Sequence, residues 1–286
     1  MDNAQLKMDN AVKASYHKRI PLLIAPAAFP DSISAAMVLT EVTDELIWMF
    51  DSARRVVVLT GAGVSAESGV PTFRGGGDTA MWTWRGRYFT ELSSAQMMAS
   101  DPELVWEWFD YRRGMLTEIE PNAGHYALAK WEHRFEEFTL VTQNIDDLHR
   151  VAGSLNVLEL HGNIWRARCL RCLSTFESRE CPIEQNPPLC LACGGPTRPD
   201  VVLFGEYVPS DVFEKAAEAT GRADLFFVIG TSSVVYPAAS LPIAAKQIGA
   251  KVIEINPEKT EISFLADVTV LGKSGEIMPQ FLKERG

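Results

Sequence analysis

All five cysteines of this 286-residue chain lie between Cys169 and Cys193. Four of them form two pairs, Cys169-x-x-Cys172 and Cys190-x-x-Cys193, with the 17 residues 173 to 189 between the pairs. That spacing suits a tetrahedral four-cysteine zinc site, each knuckle placing two thiolates on one side of a tight turn. Four thiolates leave no coordination position open, so one structural Zn2+ is expected, not a catalytic one. Cys181 lies outside both pairs and reads as a bystander. A second cluster, Gln143-Asn144-Ile145-Asp146-Asp147-Leu148-His149, directly follows an apolar run. Amides and carboxylates placed there suit ligand binding at the carboxyl end of a strand. His161 ends another apolar run and precedes Gly162, which makes it a candidate general base. A third cluster, Gly61-x-Gly63-x-x-Ala66, fits the glycine turn that lets backbone N–H groups approach a pyrophosphate. Ser65 is positioned to N-cap the helical turn after it.

The elements that must carry these groups are short apolar runs. Val56 to Leu59 reads as a buried parallel strand running into Gly61. Phe138 to Thr142 precedes the amide cluster, and Val157 to Leu160 precedes His161. Val201 to Phe204 is extended and ends in Gly205-Glu206. Leu225 to Ile229 ends in Gly230-Thr231-Ser232-Ser233, small residues suited to a phosphate or ribose. Val234 to Pro237 continues extended, and Pro242 to Ile248 is a helix. Lys251 to Ile255 ends in Asn256-Pro257-Glu258, and Val268 to Leu271 ends in Gly272-Lys273-Ser274-Gly275. Between these strands, Pro102 and Pro121-Asn122 mark helix starts. Ser32 to Thr43 reads as the beginning of a helix. Met81, Trp82, Trp84, Tyr88 and Phe89 read as a helical subdomain packing its own core.

Strands alternating with helices predict an α/β fold: a Rossmann-like, doubly wound, mostly parallel sheet. The cysteine ribbon, about 165–200, and a helical module, about 76–120, form a smaller lobe. Polar residues then meet along one sheet edge, so several weak signals converge on one cleft. Residues 1–42 read as an N-terminal extension, 43–280 as the main domain and 281–286 as a tail.

Bulk properties narrow the partners. Hydrophobic residues make up 47% and charged residues 22%, ordinary for a soluble globular chain. The net charge of −10 disfavours nucleic acid or an anionic membrane as the main partner. No apolar run approaches the roughly 20 residues needed to cross a bilayer. MDNAQLKMDN is a poor signal or transit peptide, and paired C-x-x-C motifs point to a reducing compartment, so a cytoplasmic location is expected.

Together, GAGVSAESGVPTFRG, TQNIDDLHRVAG, LHGN, the two C-x-x-C pairs, LFGE, GTSSVVYPAA and INPE resemble a sirtuin, an NAD-dependent protein lysine deacylase. The likeness spans about residues 45–280, in the family's order. TQNIDDLHRVAG and GTSSVVYPAA look most like class III, the branch with desuccinylases and demalonylases. The resemblance implies NAD as co-substrate and acylated-lysine proteins or peptides as partners. It implies that Gly61, Ala62, Gly63, Ser65 and Glu67 belong to the phosphate-binding turn, with Phe73 and Arg74 on a loop over the cofactor. Gln143, Asn144, Ile145 and Asp146 would surround the nicotinamide and its ribose, Asn144 and Asp146 taking part in catalysis. Gly230, Thr231 and Ser232 would hold phosphate and ribose, Asn256 and Glu258 the adenosine end, and Ser274 the adenine. His161 would withdraw a ribose hydroxyl proton, and the products would be nicotinamide, O-acyl-ADP-ribose and free lysine. A substrate peptide would add as a strand between Phe204-Gly205-Glu206 and Val234-Val235-Tyr236.

One departure stands out. The acidic-acyl branch carries Tyr-x-x-Arg on the helix lining the acyl pocket, where this chain has Phe109-Asp110-Tyr111-Arg112. Phe109 and Arg112 share a helix face, so both can flank one pocket, with one hydroxyl donor fewer. Two other readings remain open at this point. One is ADP-ribosyl transfer or NAD hydrolysis in the same cleft. The other is a zinc-ribbon binding module without catalysis.

Overall fold

The computed structural model describes residues 37–71 and 83–283. In chain order the strands are β1 (Met37–Leu39), β2 (Arg55–Thr60), β3 (Thr83–Trp84), β4 (Arg87–Tyr88), β5 (Glu137–Thr142), β6 (Val157–Glu159), β7 (Gly162–Cys169), β8 (Thr175–Glu177), β9 (Thr197–Val201), β10 (Leu225–Ile229), β11 (Lys251–Asn256) and β12 (Val268–Leu271). Seven of these form one parallel sheet, ordered β1-β12-β11-β10-β2-β5-β6. From β2 the chain winds outward through β5 to β6, then returns to lay β10 on the other side of β2. The topological switch point therefore lies between β2 and β10, where open α/β sheets bind ligands.

The strands are mostly apolar because helices cover both faces. Val56 and Val58 point to one side, packing with Phe50, Leu128, Trp131, Phe227 and Phe281. Val57 and Leu59 point to the other, with Phe226, Val228, Leu241 and Ala245. A period of two thus serves two cores with one strand.

Two boundaries differ from the sequence reading. Met37–Leu39 is not part of a helix but an edge strand parallel to β12, and the first helix, Asp44–Ser52, begins after Thr43, whose hydroxyl caps it. Three apolar residues are too few to show a periodicity, and pairing with β12 decides their state. At the other end, Phe281 is buried and the core runs on through the 3-10 turn Met278–Leu282. The folded domain therefore begins before residue 43 and passes 280.

The smaller lobe contains the short helices Phe89–Leu92 and Ala95–Ser100 and the long helix Pro102–Leu116. Asp101 caps the long helix by accepting from the Leu104 N–H at 3.0 Å, with Pro102 in the first turn, as the Asp-Pro pair predicts. Of the aromatic segment before it, Trp84 and Tyr88 lie on strands rather than a helix, while Phe89 opens the first short helix. Arg85 and Gly86 both take positive φ, 51° and 76°, and close a tight β3–β4 hairpin. Trp84 turns inward against Trp108 and Tyr111, while Tyr88 stays exposed. Met81, Trp82, the glycine run 75–77, Phe73 and Arg74 lie outside the described residues. The ribbon is a second sheet, β8-β7-β9, antiparallel and inserted between β6 and β10 as expected.

Candidate active site and zinc centre

Beyond the ends of β2 and β10 the two backbones touch. The Gly63 N–H donates to the Gly230 carbonyl at 2.7 Å, and a Cβ on Gly63 would lie 2.7 Å from the Gly230 Cα. Gly61 donates its N–H to the Ile229 carbonyl at 3.1 Å. The two glycine N–H groups that the motif would offer an anion are thus committed to the neighbouring strand. Their lack of side chains serves close approach instead.

Ser65 is not an N-cap. The helical turn is Gly63–Ala66, its cap position is Ala62, and Ser65 sits inside it, fully buried. Its Oγ is the hub of a network. It donates to Asp146 Oδ2 at 2.8 Å and accepts from Asn144 Nδ2 at 3.1 Å. His125 Nε2 lies 3.3 Å away. The Asn122 backbone N–H donates to His125 Nδ1 at 3.2 Å, so the His125 proton resides on Nε2 and points at Ser65. Behind it the His149 ring lies tilted at 4.9 Å, and it bonds Thr60 Oγ1 through Nε2 at 2.9 Å. Burial holds His125 down to about 4 and His149 well below the ordinary histidine value, His125 adding to the effect on His149. Both are therefore neutral at pH 7. Burial pushes the Asp146 carboxyl up, against the Leu148 N–H, the Ser65 hydroxyl and the charge of Arg112.

The rest of the amide loop is anchored as firmly. Gln143 Nε2 donates to Thr231 Oγ1 at 2.9 Å, tying β5 to β10 across the switch point. Asn144 Nδ2 also donates to the Gly61 carbonyl at 3.1 Å. The Ile145 carbonyl accepts from the Ile164 N–H at 2.9 Å. Asn256, at the end of β11, donates to the Thr231 carbonyl at 3.1 Å. Glu67 reaches the far end of the cleft, its Oε1 accepting from Ser274 Oγ at 3.1 Å and the Gly275 N–H at 2.8 Å. Ser232 is half-buried near these groups, and Glu258 is exposed beyond β11.

His161 lies between β6 and β7, half-buried, with Nδ1 2.9 Å from the Gln143 carbonyl. A carbonyl only accepts, so Nδ1 carries the proton and Nε2 keeps its lone pair. Burial lowers the imidazole below its ordinary value, opposed by that backbone bond. Gly162 takes φ +77°, and a Cβ there would meet the Asp200 carbonyl at 2.1 Å. The glycine after His161 lets β7 close against β9.

The proposed acyl and peptide residues behave differently. Phe109 is 1% exposed, within a core of Leu92, Val105, Trp108, Ile164 and Leu203. Arg112 is half-buried, its Cζ 5.9 Å from the Phe109 and Trp108 ring centroids, and burial lowers it to about 10, with Asp146 opposing. Phe204 and Tyr236 are exposed, with Val234 half-buried beside Tyr236. The loop Ser232–Tyr236 is irregular, not the extended continuation read from its valines. Glu206 braces its own loop, pairing with Arg198 and accepting from the Leu203 N–H at 2.9 Å. Gly205 takes φ +89° to make that turn.

At the ribbon tip the four sulfurs of Cys169, Cys172, Cys190 and Cys193 all lie within 4.8 Å of one another. The Cys169–Cys193 and Cys172–Cys190 sulfurs are 3.5 and 3.6 Å apart. Zn–S bonds of about 2.3 Å in a tetrahedron place sulfurs roughly 3.8 Å apart, so the cluster fits the ion. The N–H groups of Arg171 and Cys172 donate to Cys169 Sγ at 3.2 and 3.3 Å and fix the sulfur in place. Cys181 stands apart, near the Asp110 carbonyl.

Sequence reasoning missed His125, Thr60, Thr142 and Arg198, and placed His149 in the amide cluster without its bond to Thr60. Each is polar but lies within or beside an apolar run, where only the tertiary fold reveals a shared network.

A doubly wound sheet with a polar switch-point cleft and an inserted four-cysteine ribbon defines a nucleotide-binding α/β protein with a structural zinc module. The Sir2 family model matches residues 61–237. The NAD-dependent protein deacylase 2 of Pyrobaculum aerophilum is 47% identical over 233 residues, 82% of this chain and 92% of that protein. The crystal structure of a Sir2 homolog–NAD complex superposes with a TM-score of 0.79 at 42% identity, covering 87% of this chain and 95% of that one. A Sir2–p53 peptide–NAD+ structure gives 0.73 at 32%, covering 84% and 96%. The chain belongs to the Sir2 family.

Proposed function

We propose that this cleft removes acyl groups from protein lysine side chains with NAD as co-substrate. The observation that carries the reading is the His161 tautomer. Its Nδ1 proton is held by the Gln143 carbonyl, so Nε2 is the acceptor, and burial keeps it unprotonated at neutral pH. A neutral imidazole can withdraw a proton from a ribose hydroxyl. Asn144 and Asp146 stand on the same loop as Gln143, braced through Ser65, and can orient the groups around the bond that breaks. Thr231 and Asn256 line the other side of the switch point. The relatives' name as deacylases and the peptide in a related complex support this reading over glycohydrolysis or a non-catalytic module. The zinc, held by four thiolates, supplies no open coordination position and serves the ribbon.

Peptide binding by main-chain hydrogen bonds fits the exposed segments around Phe204 and Tyr236. An acidic acyl group would meet Arg112, whose lowered pKa of about 10 still leaves it charged at pH 7. The Phe109 ring offers no hydroxyl there, so we infer deacetylation with a weaker desuccinylase or demalonylase activity. All five cysteines are unbridged, which supports a reducing, cytoplasmic setting. The net charge of −10 supports protein rather than nucleic-acid partners.

The test is mass spectrometry of acetyl-, malonyl- and succinyl-lysine peptides with and without NAD. Free lysine peptide, nicotinamide and O-acyl-ADP-ribose in equal amounts are expected. Nicotinamide released without deacylated peptide would favour the glycohydrolase instead.

A further inference from the structure

Arg113 has no accessible surface, and the chemistry above does not use it. Taking a guanidinium out of water is costly unless its charge is paired. Among the described residues Arg113 forms no salt bridge. Its Nε and Nη2 both donate to one backbone carbonyl, that of Ile164, at 2.9 and 2.7 Å. Its Nη1 reaches Ser178 Oγ at 3.4 Å. The cation lies near two indoles, 5.2 Å from the Trp106 centroid and 5.8 Å from Trp165. The group remains protonated at neutral pH, burial lowering it to about 10.

The target of this cation explains its cost. Pairing of β7 with β9 slips between Gly162 and Ala167, so the ladder is interrupted just after His161. Ile164 sits in that irregularity and is fully buried. Bulges beside active sites re-aim side chains and leave backbone groups that need other partners. Arg113 supplies the Ile164 carbonyl with two charged donors. The Ile164 N–H donates to the Ile145 carbonyl, and Trp165 Nε1 donates to the Asp146 carbonyl at 3.2 Å. The residue that Arg113 grips thus bonds the loop of Asn144 and Asp146, three positions after the candidate base.

We propose that Arg113 is a positioning residue, whose grip on the Ile164 carbonyl fixes together the strand that follows His161 and the loop that carries Asn144 and Asp146. A lysine could not reproduce it, because only a planar guanidinium sets two donors side by side on one carbonyl. The proposal rests on the deacylase reading. Wild-type protein without NAD-dependent deacylation would overturn that reading, whereas active wild type with indifferent variants would overturn this one.

The experiment uses the full-length, zinc-loaded protein and the variants Arg113→Met, Arg113→Lys and Trp165→Phe. ADP-ribose titration counts competent cofactor sites, and kcat, KM for NAD and the pH–rate profile are measured per site. Arg113→Met is expected to keep stoichiometric ADP-ribose binding and a near-normal KM. Its kcat should fall by about 10–100-fold, the scale of a misplacement near 1 Å. The acid limb of its profile should move up towards about 6.5, the ordinary histidine value, as a loosened His161 becomes more hydrated. Arg113→Lys should fall between this and wild type, and Trp165→Phe should lower kcat by a smaller factor. Wild-type kcat per site with an unmoved acid limb would overturn the proposal. So would a kcat loss fully explained by lost ADP-ribose sites. If Arg113→Met does not fold, Arg113→Lys and Trp165→Phe decide, and wild-type kcat and pH profile in both would overturn the proposal.

Discussion

At the switch point of the sheet, Ser65, Asp146 and His125 hold one another by hydrogen bonds inside a buried apolar frame. At the ribbon tip, Cys172 and Cys193 are exposed, and the leucines beside the cysteines, Leu173 and Leu191, face solvent. Both regions fix polar atoms in space. The sheet does so because apolar strands packed on both faces leave the polar side chains little freedom. The ribbon buries too little around its tip to do the same, so four thiolates must be gathered by an ion. The difference predicts that the two regions answer to different perturbations. His161 and Arg113 belong to the junction, where β7 leaves the cofactor loop and becomes the ribbon's first strand.

The largest expected effect is removal of zinc. Structural zinc sites contribute roughly 10–16 kcal/mol in small domains, so Cys169→Ser or chelation should unfold the ribbon. Hydrogen exchange should then rise across residues 165–200 while β2, β10 and β11 stay protected. Full activity in a zinc-free protein would break the contrast. The converse perturbation is Phe227→Ala, at a position with no exposure inside the aromatic cluster of the sheet. It should cost about 3–5 kcal/mol in denaturant melts yet leave zinc content at one per chain.

His161→Ala tests the junction without straining either side. Loss of a general base costs about 10²–10⁴ in rate, while melting temperature and ADP-ribose affinity should hardly move. Near-normal turnover would show that another group is the base. Arg112→Ala should selectively lower succinyl- and malonyl-lysine turnover, by roughly 10–150-fold for one charged hydrogen bond of about 1.5–3 kcal/mol. An unchanged acyl ratio would remove this helix from acyl recognition.

The most gradual effect is in pH. His125 and His149 are depressed by burial, so below about 6.5 the unfolded chain takes up protons that the folded one does not. The stability they contribute is full above that pH. It should be lost as pH falls towards 4, at about 1.4 kcal/mol per pH unit per histidine. His149→Asn should flatten the slope of urea midpoint against pH, since one neutral imidazole is gone. An unaltered slope would locate the acid sensitivity elsewhere, with the ribbon thiolates the first alternative.

The sequence determined by itself the buried parallel strands β2, β5, β6, β10, β11 and β12, their alternation with helices, the four metal ligands and the polar residues at those strand ends. Apolar runs such as Val56 to Leu59 and the paired C-x-x-C motifs are local signals, fixed by period and spacing over a few residues. Only the tertiary structure decided that Ser65 is a hub rather than a cap. The reason is that Asp146, Asn144 and His125 come from distant segments that meet only when β2 pairs with β5. It likewise turned Met37–Leu39 into a strand through β12, placed Phe109 in a core and set Arg113 on the Ile164 carbonyl. In each case the partner is remote in the chain, and burial or pairing across that distance outweighs what the local residues prefer.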